Sequence, residues 1–170
     1  MQRKLNTSGL KSLYLPSRIP GPDRLLVVLH GLGDSLEGFK FLPEVLQIPG
    51  LNYLLINAPD PYFTGYSWYE INAAMQVMES GVVRSRGLLF QLIKEIKHHG
   101  FPPEHVGVLG FSQGCLMALD LACRFPEKLG AFVGISGYAS HLAEYPEKLS
   151  PAARSQTILV THGTEDELLP

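Results

Sequence analysis

Apolar residues in this chain fall into two kinds of run. Short continuous runs recur along it: Leu25–His30 (LLVVLH), Tyr53–Asn57 (YLLIN), Val106–Phe111 (VGVLGF), Ala131–Ser136 (AFVGIS) and Thr157–His162 (TILVTH), with Ser12–Leu15 (SLYL) a weaker sixth. None alternates cleanly between apolar and polar, the mark of strands covered on both faces of a sheet. Longer stretches between them carry helical spacing. Gly38–Gln47 is one. Ser80–His99 is the clearest, with Val83, Leu89, Leu92, Ile93 and Ile96 on one side and Arg86, Lys94, Glu95 and Lys97 on the other. Gly100 and Pro102–Pro103 stop it. Gln113–Arg124 is a third helix, ended before Pro126. Strands alternating with helices predict an α/β fold: a mostly parallel, doubly wound sheet with helices on both faces, three layers in all. One long segment, residues 59–80, is rich in aromatics and follows a strand end. It is expected over the carboxyl ends of the strands, where open α/β sheets bind ligands. It reads either as a pocket wall or as a loop with a small apolar cluster of its own.

The 170 residues suit a single domain, residues 1–170, with one core. Apolar content of 45%, charged content of 18% and a net charge of −2 describe an ordinary globular chain and point away from nucleic acid. The first residues, MQRKLNTSGLKSLYLPS, contain no apolar h-region, and no run reaches the length of a membrane span. Cys115 and Cys123 are the two cysteines. Eight residues apart on one helix, they would sit roughly 12 Å from each other, whereas a disulfide needs Cα atoms within about 7 Å. Free thiols in a reducing, cytoplasmic setting are expected. Without a CxxC pair, no zinc site is expected.

Three features at predicted strand ends carry the chemistry. Gly110-Phe111-Ser112-Gln113-Gly114 is a G-x-S-x-G match between a strand and a helix. There the serine sits at the apex of a sharp turn and acts as a nucleophile; the competing reading is a helix N-cap serine. His30-Gly31-Leu32-Gly33-Asp34 follows the run LLVVL and can aim a backbone N–H at the charge that develops on a substrate carbonyl. It lacks the spacing of a phosphate loop, and His30 is expected to pack and to hydrogen-bond the loop. His162-Gly163-Thr164-Glu165-Asp166-Glu167 follows the last run and offers an acid that could orient a histidine, with Glu165 and Glu167 as rivals to Asp166.

Together, VVLHGLGDS, GFSQG and THGTEDELLP resemble the α/β-hydrolase fold and, more narrowly, the carboxylesterase/phospholipase family that includes acyl-protein thioesterases. The resemblance runs from about Leu25 to Pro170. It implies Ser112 as nucleophile, the N–H groups of Leu32 and Gln113 as the oxyanion hole, and Asp166 as the acid of an HGxxDxxVP motif with Leu169 in place of Val. Trp68, in SWYE, matches a tryptophan near the acyl pocket. No metal or organic cofactor is implied; the partner is a small-molecule or lipid-like acyl ester. The expected activity is hydrolysis of esters or thioesters through an acyl-serine. The alternatives are a non-catalytic binding module, or lysophospholipase or lactone-hydrolase activity on the same fold. Cys115, three residues past the apex, does not qualify as a nucleophile.

Enzymes of this fold order their triad as Ser, acid, His, and no histidine follows Asp166. His30, His98, His99, His105, His141 and His162 all precede it, and none makes a convincing base. The expectation is therefore a fold lacking its C-terminal strand and helix. Thr157–His162 would then be an unpaired apolar edge, able to pair across a homodimer.

Overall fold

A computed structural model describes residues 9–140 and 145–167; His141 and residues 168–170, including Leu169, lie outside the described residues. The strands follow the apolar runs: β1 (Ser12–Leu15), β2 (Arg24–Leu29), β3 (Leu51–Ile56), β4 (Asp60–Tyr62), β5 (Gly65–Ser67), β6 (Val106–Phe111), β7 (Ala131–Ile135) and β8 (Ile158–Thr161). Six of them form one sheet in the order β1-β3-β2-β6-β7-β8, and β4 and β5 form a separate hairpin. Only β1 runs antiparallel, pairing Ser12 with Ile56 and Leu15 with Tyr53. From β2 the chain crosses to β3 on one side and then returns past β2 to β6, β7 and β8 on the other. The carboxyl ends of β2 and β6 therefore flank the point where the winding reverses, the place where such sheets leave a crevice.

The helices are α1 (Leu42–Leu46), α2 (Glu79–His98), α3 (Gln113–Arg124) and α4 (Tyr145–Lys148). The expected helix at 38–47 is broken into a 3-10 turn, Leu36–Phe39, and the five-residue α1, whose C-cap Gln47 adopts a left-handed conformation at φ 46°. Pro43, in the first turn of α1, suits a helix start and not the interior of a longer one. In α2 the buried stripe is Val82, Ser85, Leu89, Leu92, Ile93 and Ile96. Val82, not Val83, faces the core: Val83 is 47% exposed. One residue is a turn of about 100° on a helix, enough to leave the stripe.

One face of the sheet, with Val27, Leu29, Leu54, Ile56 and Val108, packs on α2 and α3 around Leu89, Leu92, Leu116 and Leu121. The other face carries Val28, Tyr53, Leu55 and Leu109 under Leu36 and Leu42. The helices α2 and α3 are tied by Asp120, which accepts from Arg86 Nε at 2.6 Å and from Arg124 Nε at 2.9 Å. β8 is the sheet's edge, and Ile158, Leu159 and Val160 are 43%, 58% and 52% exposed.

Candidate active site

Ser112 stands where the sequence puts it, between β6 and α3. Its backbone has φ 52° and ψ −113°, a conformation that costs a non-glycine residue about 1–3 kcal/mol. Its N–H donates to Ile135 O at 2.9 Å, which ties the turn to the end of β7. The two flanking glycines are required by close backbone approach. A Cβ on Gly110 would lie 2.0 Å from Gly114 O, and one on Gly114 would lie 2.2 Å from Leu29 O. The Ser112 side chain makes no capping bond to α3. The N-cap reading is therefore set aside, and the hydroxyl is not spent on the helix.

The loop after β2 reaches the same point. A Cβ on Gly31 would sit 3.3 Å from Ser112 Cβ. Gly31–Asp34 is a tight turn closed by Asp34 N–H donating to Gly31 O at 3.3 Å, with Gly33 at φ 77° as a type II turn demands. Leu32, at its second position, does not use its N–H in the turn. Gln113 is the first residue of α3, so its N–H has no intrahelical partner. The structure thus brings Leu32 and Gln113 to the neighbourhood of Ser112, each with a main-chain donor outside the regular ladders.

The aromatic segment holds these two donors in one frame, a role its composition did not announce. Gly33 N–H donates to Tyr66 O at 2.9 Å, and Tyr66 N–H donates to Asp34 O at 2.9 Å. Two residues on, the buried Gln113 amide grips the same strand end. Its Oε1 accepts from Trp68 N–H at 2.8 Å, and its Nε2 donates to Tyr69 O at 2.7 Å. The hairpin β4–β5 and residues 68–69 therefore bridge the Leu32 turn and the α3 start.

Trp68 is fully enclosed, at 0% exposure. Its Nε1–H donates to His30 O at 3.0 Å, and its ring lies 5.8 Å from that of His30. The expected contact between Trp68 and substrate has no exposed indole surface to make it; the side chain buttresses the turn from behind. A cavity of about 320 Å³ opens instead among Leu32, Tyr62, Tyr69 and Ile71, with Asp60 and Glu70 also in its wall.

His30 is structural. Its Nε2 accepts from Ala58 N–H at 3.0 Å, so the proton sits on Nδ1, which donates to Gly31 O at 2.6 Å. Burial lowers its pKa below the ordinary 6.5, against smaller upward pulls from Gly31 O and Asp34. Cys115 is buried, and that burial raises its thiol pKa, the opposite of what a nucleophile needs. The third expected element sits on the loop after β8. Asp166 is half-buried, with Oδ2 3.4 Å from His162 Nε2, while Glu165 and Glu167 are exposed. Ser136 N–H donates to Thr161 O at 3.0 Å, which keeps the β7 and β8 ends level. Two strand spacings separate the β8 end from Ser112, roughly 10 Å. Among the other described histidines, His98 Nδ1 faces Lys94 O and His105 Nδ1 faces Asp23 O.

The profile of the Phospholipase/Carboxylesterase family matches residues 18–170. The chain belongs to this family. It is a serine hydrolase of ester or thioester bonds with the α/β-hydrolase fold. It is 32% identical over 155 residues to acyl-protein thioesterase 1 of Schizosaccharomyces pombe, covering 85% of this chain and 69% of that protein. A probable carboxylesterase of Oryza sativa is 29% identical over 180 residues, covering 95% of this chain and 68% of its own length. Among solved structures, esterase PE8 superposes with a TM-score of 0.83 at 24% identity, over 95% of this chain and 78% of that one. Acyl-protein thioesterase 2 of Zea mays gives 0.74 at 22%, over 94% and 78%. These last two likenesses speak for the fold. Among the described residues, no helix is long and apolar enough to cross a membrane.

Proposed function

We propose that Ser112 Oγ attacks the acyl carbon of an ester or thioester. The hydroxyl proton passes to a histidine base, which the triad order of this fold places after Asp166, and on to the departing alcohol or thiol, and water then releases the carboxylic acid from the acyl-serine. The observation that carries this reading is Ser112 itself: strained, uncapped, at the reversal point of the sheet and near two main-chain donors outside the regular ladders. The N–H groups of Leu32 and Gln113 take the oxyanion, each worth about 2.7–4 kcal/mol in the transition state. Asp166, the half-buried carboxylate of its loop, orients the base.

The substrate class is an acyl chain carried on a small molecule, a lipid or a protein. The relatives' names favour acylated protein. The cavity beside Leu32, walled by Tyr62 and Ile71, accommodates the acyl or leaving group. Both cysteines are free thiols, in keeping with a reducing, cytoplasmic setting.

Hydrolysis of p-nitrophenyl butyrate by three amide variants tests the acid assignment. Asp166→Asn should lower kcat by about 10⁴, the scale at which loss of the acid misdirects the histidine tautomer. Glu165→Gln and Glu167→Gln should stay near the unmodified rate. Equal losses at all three positions would remove the case for Asp166.

A further inference from the structure

A second cavity, larger than the one beside Leu32, lies away from Ser112. It encloses about 370 Å³ between the chain leaving β1, helix α1 and the start of β3, with walls from Leu15, Ile19, Ile48, Leu51 and Tyr53. That volume suits a small organic ligand. Tyr53 pairs with Leu26 of β2, and Leu26 pairs with Gly107 of β6, five residues before Ser112. The cavity is therefore roughly 16 Å from Ser112 along the strands and 10 Å across them. It belongs to the opposite end of the sheet.

Three observations define what it would hold. Tyr53 is 2% exposed, and its hydroxyl is buried with no hydrogen-bond partner among the described residues. A buried hydroxyl left so costs about 1–3 kcal/mol, which an acceptor atom on a ligand would relieve. Burial also raises the Tyr53 pKa, so the group stays a donor. Arg18 and Lys40 stand on the rim with Glu44. Lys40 is held by Glu37, whereas Arg18 has no ion-pair partner among the described residues and is the rim cation open to a ligand's negative charge. Finally, Ile19 and Ile48 are 39% and 41% exposed, apolar surface that a hydrocarbon chain would cover.

We propose that this cavity is a second binding site, for a carboxylic acid with an apolar chain: the carboxylate on Arg18 and the Tyr53 hydroxyl, the chain against Ile19 and Ile48. The choice of a carboxylate over other monoanions rests on the hydrolase reading, since such an acid is what ester or thioester hydrolysis releases. The site itself does not rest on it. An occupied site remote from Ser112 would let product accumulation be sensed without blocking the nucleophile.

The test is calorimetric titration of the protein with decanoate, 1-decanol and decyl phosphate, repeated on Arg18→Ala, Arg18→Lys and Tyr53→Phe. The expected result is saturable decanoate binding, weakened tenfold or more by Arg18→Ala and by Tyr53→Phe, partly restored in Arg18→Lys, with decanol far weaker. Hydrolysis of a short ester by these variants should be unchanged. The proposal falls if decanoate does not bind, if decanol binds as tightly, if decyl phosphate binds more tightly, or if Arg18→Ala leaves the affinity unaltered. If the protein hydrolyses no ester while decanoate binding still depends on Arg18, the site stands and the reading of Ser112 fails by itself.

Discussion

Replacing Gln113 by alanine tests the link between the aromatic segment and the oxyanion donors. The amide accepts from Trp68 N–H at 2.8 Å and donates to Tyr69 O at 2.7 Å and to Ser67 Oγ at 3.2 Å, and the residue is 3% exposed. Removing it orphans the Trp68 N–H, at a cost of about 1–3 kcal/mol. The Tyr69 carbonyl fares better, because Ser67 Oγ also donates to it at 2.7 Å. Only the net worth of one bond is lost there, about 1 kcal/mol. The expected destabilisation is thus about 2–4 kcal/mol, read from urea unfolding as a shift in midpoint at constant slope. Gln113→Glu should do worse, since a carboxylate cannot donate to Tyr69 O and brings an unpaired charge into a buried position. Both variants should also lower kcat/KM on p-nitrophenyl butyrate under conditions where they remain folded, because residues 66–69 support the Leu32 turn. A Gln113→Ala protein within 0.5 kcal/mol of the unmodified one, with unchanged kinetics, would refute the claim that this amide frames the site; that threshold is about the scatter of ordinary surface changes.

Two further outcomes follow from the buried polar groups. Asp120→Ala leaves Arg86 and Arg124 facing each other without their shared carboxylate, and unfolding free energy should drop by about 3–5 kcal/mol; a loss under about 1 kcal/mol would mean that the guanidinium groups reach water freely. For His30, desolvation lowers the folded-state pKa, so the unfolded chain takes the proton first as pH falls. Its contribution to stability is intact above about pH 6.5 and declines as pH drops from there toward the folded pKa. At about pH 6.5, where a free imidazole is half protonated, the ¹⁵N shifts of His30 should report a mostly neutral ring with the proton on Nδ1, and a mostly imidazolium ring at that pH would contradict it.

Much of the fold was readable because its strands are short unbroken apolar runs: Ser12–Leu15 and Val106–Phe111 coincide with β1 and β6 to the residue. The elbow was readable for a different reason. Gly110 and Gly114 are glycines because backbone passes within van der Waals contact of each, and that requirement leaves a sequence trace. What the sequence hid was tertiary. Val82 and Val83 are chemically alike, and only the docking of α2 on the sheet tells which one is buried. A three-residue strand such as β4 or β5 has no period to detect, so the hairpin that braces the Leu32 turn was not separable from the rest of the aromatic segment. The family resemblance put Trp68 near the acyl pocket. Its indole N–H instead finds His30 O behind the turn, a partner 38 residues away. The Gln113 side chain likewise takes its meaning from Trp68 and Tyr69, 45 and 44 residues earlier.

The central claim is that Ser112 is the nucleophile, and covalent labelling addresses it most directly. The protein would be treated with a fluorophosphonate, digested, and its peptides mapped by mass. The account predicts one phosphonylated residue, Ser112, with labelling abolished in Ser112→Ala and slowed in Asp166→Asn. Labelling that persists in Ser112→Ala, or that maps to another serine, would contradict it.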